Sequence, residues 1–260
     1  MNLPLYQVDA FADRLFAGNP AAVVPLDSWL PAEAMQEIAF ENNLSETAFY
    51  VRGPEGFAIR WFTPAVEVDL CGHATLGSGF VAFHRGDAAG DVVEFASRSG
   101  PLRVRREGDL LVLDFPVHVP ERAEVPEGLV EAMGGPPREV WKADNDYLLV
   151  YEAEADVRGL EPDFARLGTV EARGVIATAP GTDVDFVSRF FAPKVGVPED
   201  PVTGSAHTRL APYWSKRLGR LELTARQVSK RGGSLRCRLR GDRVDIAGRA
   251  VLYLTGTINV

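Results

Sequence analysis

Two short stretches echo each other about half a chain length apart, and they constrain the fold more than any other feature. The first reads Cys71-Gly72-His73-Ala74 and the second Thr203-Gly204-Ser205-Ala206. Each follows a turn rich in proline and acidic residues, and each opens a segment predicted to be helical. The echo therefore predicts two similar halves, each with a central helix whose N-terminus begins at a glycine.

Predicted strands surround the two helices. Short apolar runs between residues 91 and 115, near 140, and over 147–151, 174–178, 185–191 and 221–260 indicate mostly antiparallel sheet. Two further helices are expected, one capped by Ser28 and ending near Asn42-Asn43, and a short one over 162–167. Prolines at 116, 120 and 126 mark a boundary, so we expect α+β domains over residues 1–116 and 117–260, although the last strand could return to the first domain.

Composition excludes several classes of protein. The chain of 260 residues is 46% hydrophobic and 25% charged, as in ordinary globular proteins. A net charge of −8 argues against binding to nucleic acid or anionic lipid. No apolar run reaches the roughly 18 residues of a membrane span, and the N-terminus lacks signal-peptide regions, so we expect a cytoplasmic protein. The two cysteines form no disulfide or zinc pattern, and we expect neither a metal nor a cofactor.

The two helix N-termini are candidate anion sites. The first turn of a helix leaves backbone N–H groups unpaired and carries about half a positive charge, which favours a carboxylate. Glycine at this turn lets a ligand approach the backbone closely. Spacing alone leaves open the alternative that each glycine only makes a turn.

Acidic residues near these helices are candidates for acid/base catalysis. Glu46 stands at the start of a predicted strand, and Asp200 precedes the second motif, with Glu199 as its competitor and Asp69 as its counterpart in the first half. A carboxyl group desolvated in a cleft would have its pKa raised toward neutrality, as proton transfer at carbon requires. His73 could bind a substrate oxygen or carry a proton, or be a structural histidine.

Cys71 allows two interpretations. The helix dipole could lower the pKa of its thiol and prepare a nucleophile, or the thiol could be buried and inert. The matching position in the second half is Thr203, so a racemase with two catalytic thiols is excluded. A hydrolase using Cys71 and His73, or a binding protein without catalysis, stays open as an alternative.

Several motifs in a shared order resemble the PhzF-like isomerases of phenazine biosynthesis, which have the diaminopimelate epimerase fold. The stretches that carry the resemblance span nearly the whole chain: Asp9-Ala10-Phe11, Gly18-Asn19-Pro20-Ala21, Asn43-Leu44-Ser45-Glu46-Thr47, Phe62-Thr63-Pro64, Cys71-Gly72-His73-Ala74-Thr75-Leu76-Gly77 and Glu199-Asp200-Pro201-Val202-Thr203-Gly204-Ser205-Ala206. The resemblance does not extend to a role in phenazine synthesis itself.

The resemblance implies two pseudo-symmetric domains, each a mostly antiparallel, barrel-like sheet around one helix, with the active site in the cleft between them. It implies cofactor-independent proton transfer between carbons of a small carboxylated substrate, with Glu46 as the acid/base and His73 and Asp200 assisting. The substrate-binding residues implied are Gly72, Gly204, Ser205 and Asn19. A homodimer is the default expectation for such an enzyme.

Overall fold

The computed structural model describes residues 1–53 and 56–260. The strands in chain order are β1 (Asn2–Ala10), β2 (Asn19–Leu26), β3 (Glu46–Gly53), β4 (Gly56–Phe62), β5 (Glu67–Val68), β6 (Val92–Ser97), β7 (Gly100–Glu107), β8 (Leu110–Pro116), β9 (Glu121–Arg122), β10 (Glu139–Ala143), β11 (Asp146–Val150), β12 (Gly174–Pro180), β13 (Phe186–Ala192), β14 (Val197–Asp200), β15 (Glu222–Gln227), β16 (Gly233–Arg240), β17 (Arg243–Gly248) and β18 (Ala250–Asn259). The α-helices are α1 (Ala32–Asn42), α2 (Gly72–Arg85), α3 (Leu129–Met133), α4 (Glu154–Arg158), α5 (Phe164–Leu167) and α6 (Gly204–Leu218).

The chain forms two compact units. The first comprises Met1–Asp114 together with Ala247–Val260, and the second comprises Phe115–Ile246. The last strand, β18, pairs with β1 in the first unit, from Asn2 opposite Asn259 to Ala10 opposite Ala250. In the part of the chain that the structure describes, none of the helices has the length and hydropathy needed to cross a membrane.

The first unit alternates hairpin pairs with two parallel pairs. Strands β1 and β2 are antiparallel, and β2 then runs parallel to β3 after the crossover through α1. Strands β3 and β4 are antiparallel, β4 runs parallel to β6 after the crossover through α2, and β6 pairs antiparallel with β7. A parallel pair requires such a crossover, which here places each helix against the sheet.

The second unit repeats this order of pairings. Strands β10 and β11 are antiparallel, β11 is parallel to β12, and β12 is antiparallel to β13. Strand β13 then runs parallel to β15 after the crossover through α6, and β15 pairs antiparallel with β16. The echo of the two glycine-led motifs thus reflects a repeat of whole units, in which α6 occupies the place of α2. The predicted α+β fold, a sheet around a central helix in each half, is confirmed.

Helix α2 is buried on most of its surface. Leu76, Val81 and Ala82 are fully buried, and the left-handed Gly86 ends the helix. An added Cβ at Gly79 would lie 2.6 Å from Val104 Cγ1, so only glycine allows β7 to pack this close. At Gly77 the nearest atom would be Val8 Cβ at 3.7 Å, an ordinary contact. One of the two helix glycines is therefore required by packing.

Helix α1 begins later than the sequence predicts. Its N-terminal flanking residue is Pro31 rather than Ser28, and its first helical residue is Ala32. A proline disfavours helical backbone in the residue before it, so Leu30 cannot be part of the helix. The end at Asn42, followed by Asn43 in the left-handed conformation, is as predicted. The apolar face of α1 contributes Met35 and Ile38 to a core cluster.

Pro212 lies inside α6 without ending it. Its ring nitrogen has no hydrogen to donate to the carbonyl of Thr208, four residues earlier. That carbonyl instead accepts the backbone N–H of His118 at 3.1 Å. The helix continues to Leu218, and the left-handed Gly219 caps it.

Candidate active site

The first unit brings together Asn19, Glu46, Cys71 and His73. Glu46 begins β3, Asn19 begins β2, and the parallel register places Ala21 opposite Glu46. Because β2 and β3 run in the same direction, their N-terminal ends lie side by side. His73 is the second residue of α2, the helix that packs on these strands. Residues that are far apart in sequence thus meet at one end of the unit.

His73 contacts a different partner through each ring nitrogen. Its Nε2 lies 3.1 Å from Glu46 Oε2. Its Nδ1 lies 3.5 Å from Cys71 Sγ and 3.3 Å from Asn19 Nδ2. The side chains of His73 and Glu46 are 7% and 18% exposed, so water screens this pair only weakly. The arrangement is a buried row of thiol, imidazole and carboxylate.

The charges in this row stabilise each other. Burial alone would raise the pKa of Glu46, but the neighbouring His73 outweighs it and the net shift is downward. Burial would likewise lower the pKa of His73, but Cys71 and Glu46 raise it well above the ordinary value. The expectation that burial raises the pKa of the catalytic carboxyl is therefore wrong for Glu46. The resting pair is a carboxylate beside an imidazolium.

Cys71 is not an activated thiol. It is buried, and burial together with the negative charge of Glu46 raises its pKa to about 11. Of the two interpretations of Cys71, the buried thiol fits, because loss of solvation has a larger effect on this pKa than the helix N-terminus. At neutral pH the thiol is thus protonated, which disfavours a cysteine nucleophile.

Glu46, Cys71 and His73 each offer an atom of a kind that binds zinc, and the three atoms lie within 4.8 Å of one another. However, the thiol faces Nδ1 of the imidazole and the carboxylate faces Nε2. A single ion can bond only one of these nitrogens. The present geometry therefore suits a row of hydrogen-bonding groups better than a metal centre.

In the second unit, the predicted residues surround the N-terminus of α6. Gly204 is the first helical residue after Thr203, and no side chain caps the helix. Gly204 is buried, and an added Cβ there would meet no atom within 4 Å. The carbonyl of Ser205 accepts Arg209 Nη1 at 2.9 Å, which fixes this turn. The unpaired N–H groups of such a turn favour an anion.

The structure separates the two competing acids before this helix. Glu199 is bound by Arg189 through two hydrogen bonds of 2.7 and 3.0 Å, and the same guanidinium donates to the carbonyl of Leu160 at 2.7 Å. Glu199 thus belongs to the scaffold. Asp200 instead accepts the hydroxyl of Thr203 in front of the helix. Asp69, the counterpart in the first unit, has a side chain that is 74% exposed.

One residue near this helix was missed by the sequence analysis. Gln227, fully buried at the end of β15, donates to the carbonyl of Asp200 at 2.7 Å and accepts the N–H of Thr203 at 2.9 Å. A single glutamine in a strand carries no motif, and 27 residues separate it from Asp200. Only the parallel pairing of β13 and β15 could have pointed to it.

Comparison with known proteins shows the family. The profile of the family described as "Phenazine biosynthesis-like protein" matches residues 8–256. An uncharacterised isomerase of Pseudomonas aeruginosa is 56% identical over the full length of both chains. The mouse phenazine biosynthesis-like domain-containing protein 2 is 43% identical, with 99% of each chain covered.

Solved structures agree with this assignment. A PhzF-family protein of Enterococcus faecalis superposes with a TM-score of 0.97 at 48% identity, with both chains fully covered. A hydroxyproline epimerase of Agrobacterium vitis, 10% identical, shares only the fold, with a TM-score of 0.64 over 99% of this chain and 92% of the epimerase. The chain therefore belongs to the PhzF family of phenazine biosynthesis-like proteins and is an isomerase with the diaminopimelate epimerase-like fold.

Proposed function

We propose that this isomerase moves a proton between carbons of a small carboxylated metabolite, with Glu46 as the acid/base. The observation that carries the proposal is the buried contact of 3.1 Å between Glu46 Oε2 and His73 Nε2. The lowered pKa of Glu46 leaves it ionised at neutral pH and ready to accept a proton. The raised pKa of His73 leaves it protonated and able to donate a hydrogen bond.

The proposed reaction needs no external oxidant or reductant. Glu46 accepts a proton as a C–H bond of the substrate breaks, and the electron pair is delocalised into an adjacent unsaturated group. The positive charge of His73 stabilises the oxygen on which negative charge develops in the transition state. Glu46 then returns the proton to a different carbon, so the product is an isomer of the substrate.

We assign the remaining predicted residues to binding. Gly72 and Asn19 lie next to His73 in the first unit. In the second unit, the turn at Gly204 and Ser205 is suited to a carboxylate, and Asp200 to a polar group of the substrate. These roles follow the family resemblance and agree with the chemistry of each group.

The test is hydrogen exchange at carbon. Purified enzyme is incubated in D2O with a panel of small unsaturated or hydroxylated carboxylates, and C–H to C–D exchange is followed by proton NMR. A substrate identified in this way should lose its exchange about 100-fold or more in Glu46→Gln, because an amide cannot accept the proton. The matched control is Glu41→Gln, since Glu41 is exposed on α1. Full exchange by Glu46→Gln would refute the assignment.

The alternative of a Cys71 hydrolase is disfavoured by the raised pKa of the thiol. An acyl-transfer mechanism needs a thiolate at neutral pH, and burial opposes that state. We therefore propose no hydrolytic activity for the Cys71–His73 pair.

A further inference from the structure

The segment from Asp200 to Thr203, just before α6, is held by side chains from the end of β15 and the loop after it. Gln227 bonds to both ends of the segment, through the carbonyl of Asp200 and the N–H of Thr203. Ser229 donates to the carbonyl of Pro201 at 2.8 Å. We call Thr203, Gln227 and Ser229 the Asp200 latch.

The orientation of the Gln227 amide is fixed by its partners. The N–H of Thr203 can only donate, so it must face Oε1, and the carbonyl of Asp200 can only accept, so it must face Nε2. Nε2 also lies 3.2 Å from Thr203 Oγ1. The amide is fully buried, so the loss of any of these bonds cannot be compensated by water.

This orientation sets the direction of the next hydrogen bond. Because Thr203 Oγ1 accepts from Gln227, its own hydrogen is left to donate, and Asp200 Oδ2 is within hydrogen-bond distance. The result is a directed chain from the amide through the hydroxyl to the carboxylate. Hydrogen bonding of this polarity favours the ionised form of an acid.

We propose that Thr203 and Gln227 are positioning residues that fix the orientation of the Asp200 carboxylate and favour its ionised form by hydrogen bonding. The inference deepens the proposed function, on which the role of Asp200 in binding substrate rests. The proposed role requires no contact of Thr203 or Gln227 with the substrate. They act by presenting Asp200 in one rotamer and one charge state at the N-terminus of α6.

Other charged groups lie on the neighbouring elements. Arg189 on β13 and Glu199 on β14 bond to each other. Arg226 on β15 lies 4.0 Å from Asp183. The loop after β15 adds Lys230 and Arg231. In the first turn of α6, His207 is the one side chain that can ionise. Burial lowers the pKa of His207 to about 4, so its ring is neutral at neutral pH.

The experiment titrates Asp200 directly. The full chain is labelled with 13C at the aspartate carboxyl carbons, and the Asp200 signal is assigned by its loss in Asp200→Asn. In Thr203→Val, which keeps the shape and removes the donor, the midpoint should rise by about one pH unit. Thr203→Ser retains the hydroxyl and should restore the wild-type midpoint. If Thr203→Val does not fold, Thr203→Ala removes the same hydroxyl without introducing a branched side chain.

Turnover gives the second readout. In Thr203→Val the acid limb of the kcat/KM profile should move to higher pH by the same amount as the NMR midpoint, and Thr203→Ser should return it. Gln227→Glu keeps the acceptor for Thr203 but loses the donor, and should reduce kcat/KM about tenfold or more; circular dichroism checks that the variant is folded.

An Asp200 midpoint that is identical in wild type and Thr203→Val would overturn the proposal. The NMR titration needs no substrate, so it stands even if Glu46→Gln keeps full exchange and the proposed function fails. Conversely, a shifted midpoint with an unchanged kcat/KM profile would contradict the positioning role while leaving the function of Glu46 intact.

Discussion

Glu46 Oε2 lies 3.1 Å from His73 Nε2, and this contact reverses the effect that burial alone would have on the carboxyl group. His73 lowers the pKa of Glu46 although desolvation raises it. An isolated buried glutamate would be protonated and a poor base at neutral pH. The contact with His73 thus keeps Glu46 a carboxylate inside a poorly solvated site.

The first prediction concerns the pH dependence of turnover in His73→Asn. Without the imidazolium, burial is no longer offset, so the pKa of Glu46 should rise. Since Glu46 must be ionised to accept a proton, the acid limb of kcat/KM should move to higher pH. Activity at neutral pH should fall about tenfold or more, because the proposed stabilisation of the transition state by the charge of His73 is also lost. The measurement is the pH–rate profile of wild type and variant with the same substrate.

The same pair also predicts how the stability of the protein depends on pH. The lowered pKa of Glu46 means that its contribution is present at neutral pH and lost as pH falls through that pKa. The raised pKa of His73 means that its contribution is lost as pH rises through the raised value. Wild type should therefore lose stability relative to His73→Asn at both extremes. A pH-independent difference would contradict the pairing.

The second prediction concerns Cys71. With a pKa of about 11, its thiol should react with iodoacetamide far more slowly at pH 7.5 than a free cysteine does. Cys71→Ala should retain hydrogen exchange within about tenfold of wild type, because the thiol is not the base. Cys237, also buried and with a raised pKa, is the internal control for slow labelling in the native state.

Rapid labelling of Cys71 in the native protein, confirmed by peptide mapping, would show an accessible thiolate and contradict this picture. Complete loss of exchange in a folded Cys71→Ala variant would instead give the thiol a direct part in proton transfer. Cys71→Ser distinguishes a chemical role of the thiol from a packing role, since serine keeps the size and hydrogen-bonding capacity of the side chain.

Much of the fold follows from the sequence, because the determining signals are local. Gly72 and Gly204 begin α2 and α6 as the motifs predict, and short alternating runs predict most strands. The exception at Ser28 is also local, since Pro31 disfavours helical backbone at Leu30 and α1 begins only after it. The start of a helix can therefore be predicted when every local preference, including the effect of a proline on the preceding residue, is taken into account.

The electrostatics of the site could not be predicted in the same way. The pKa of Glu46 depends on its distance from His73, which is set by the parallel pairing of β2 and β3 and the packing of α2. Spacing along the chain contains no such distance. The same limit applies to Gln227, whose role depends on β15 lying next to β13.

The third prediction is a matched pair of substitutions in α2. Gly79→Ala would place a Cβ 2.7 Å from Val104 Cβ, which cannot move without shifting β7, so it should lower the free energy of unfolding by about 1–3 kcal/mol. Gly77→Ala makes no contact shorter than 3.7 Å and should raise it by up to about 1 kcal/mol through helix propensity. Urea unfolding followed by circular dichroism measures both. Adding Val104→Ala should relieve part of the loss in Gly79→Ala, whereas equal stability of the two alanine variants would show that α2 and β7 are less closely packed.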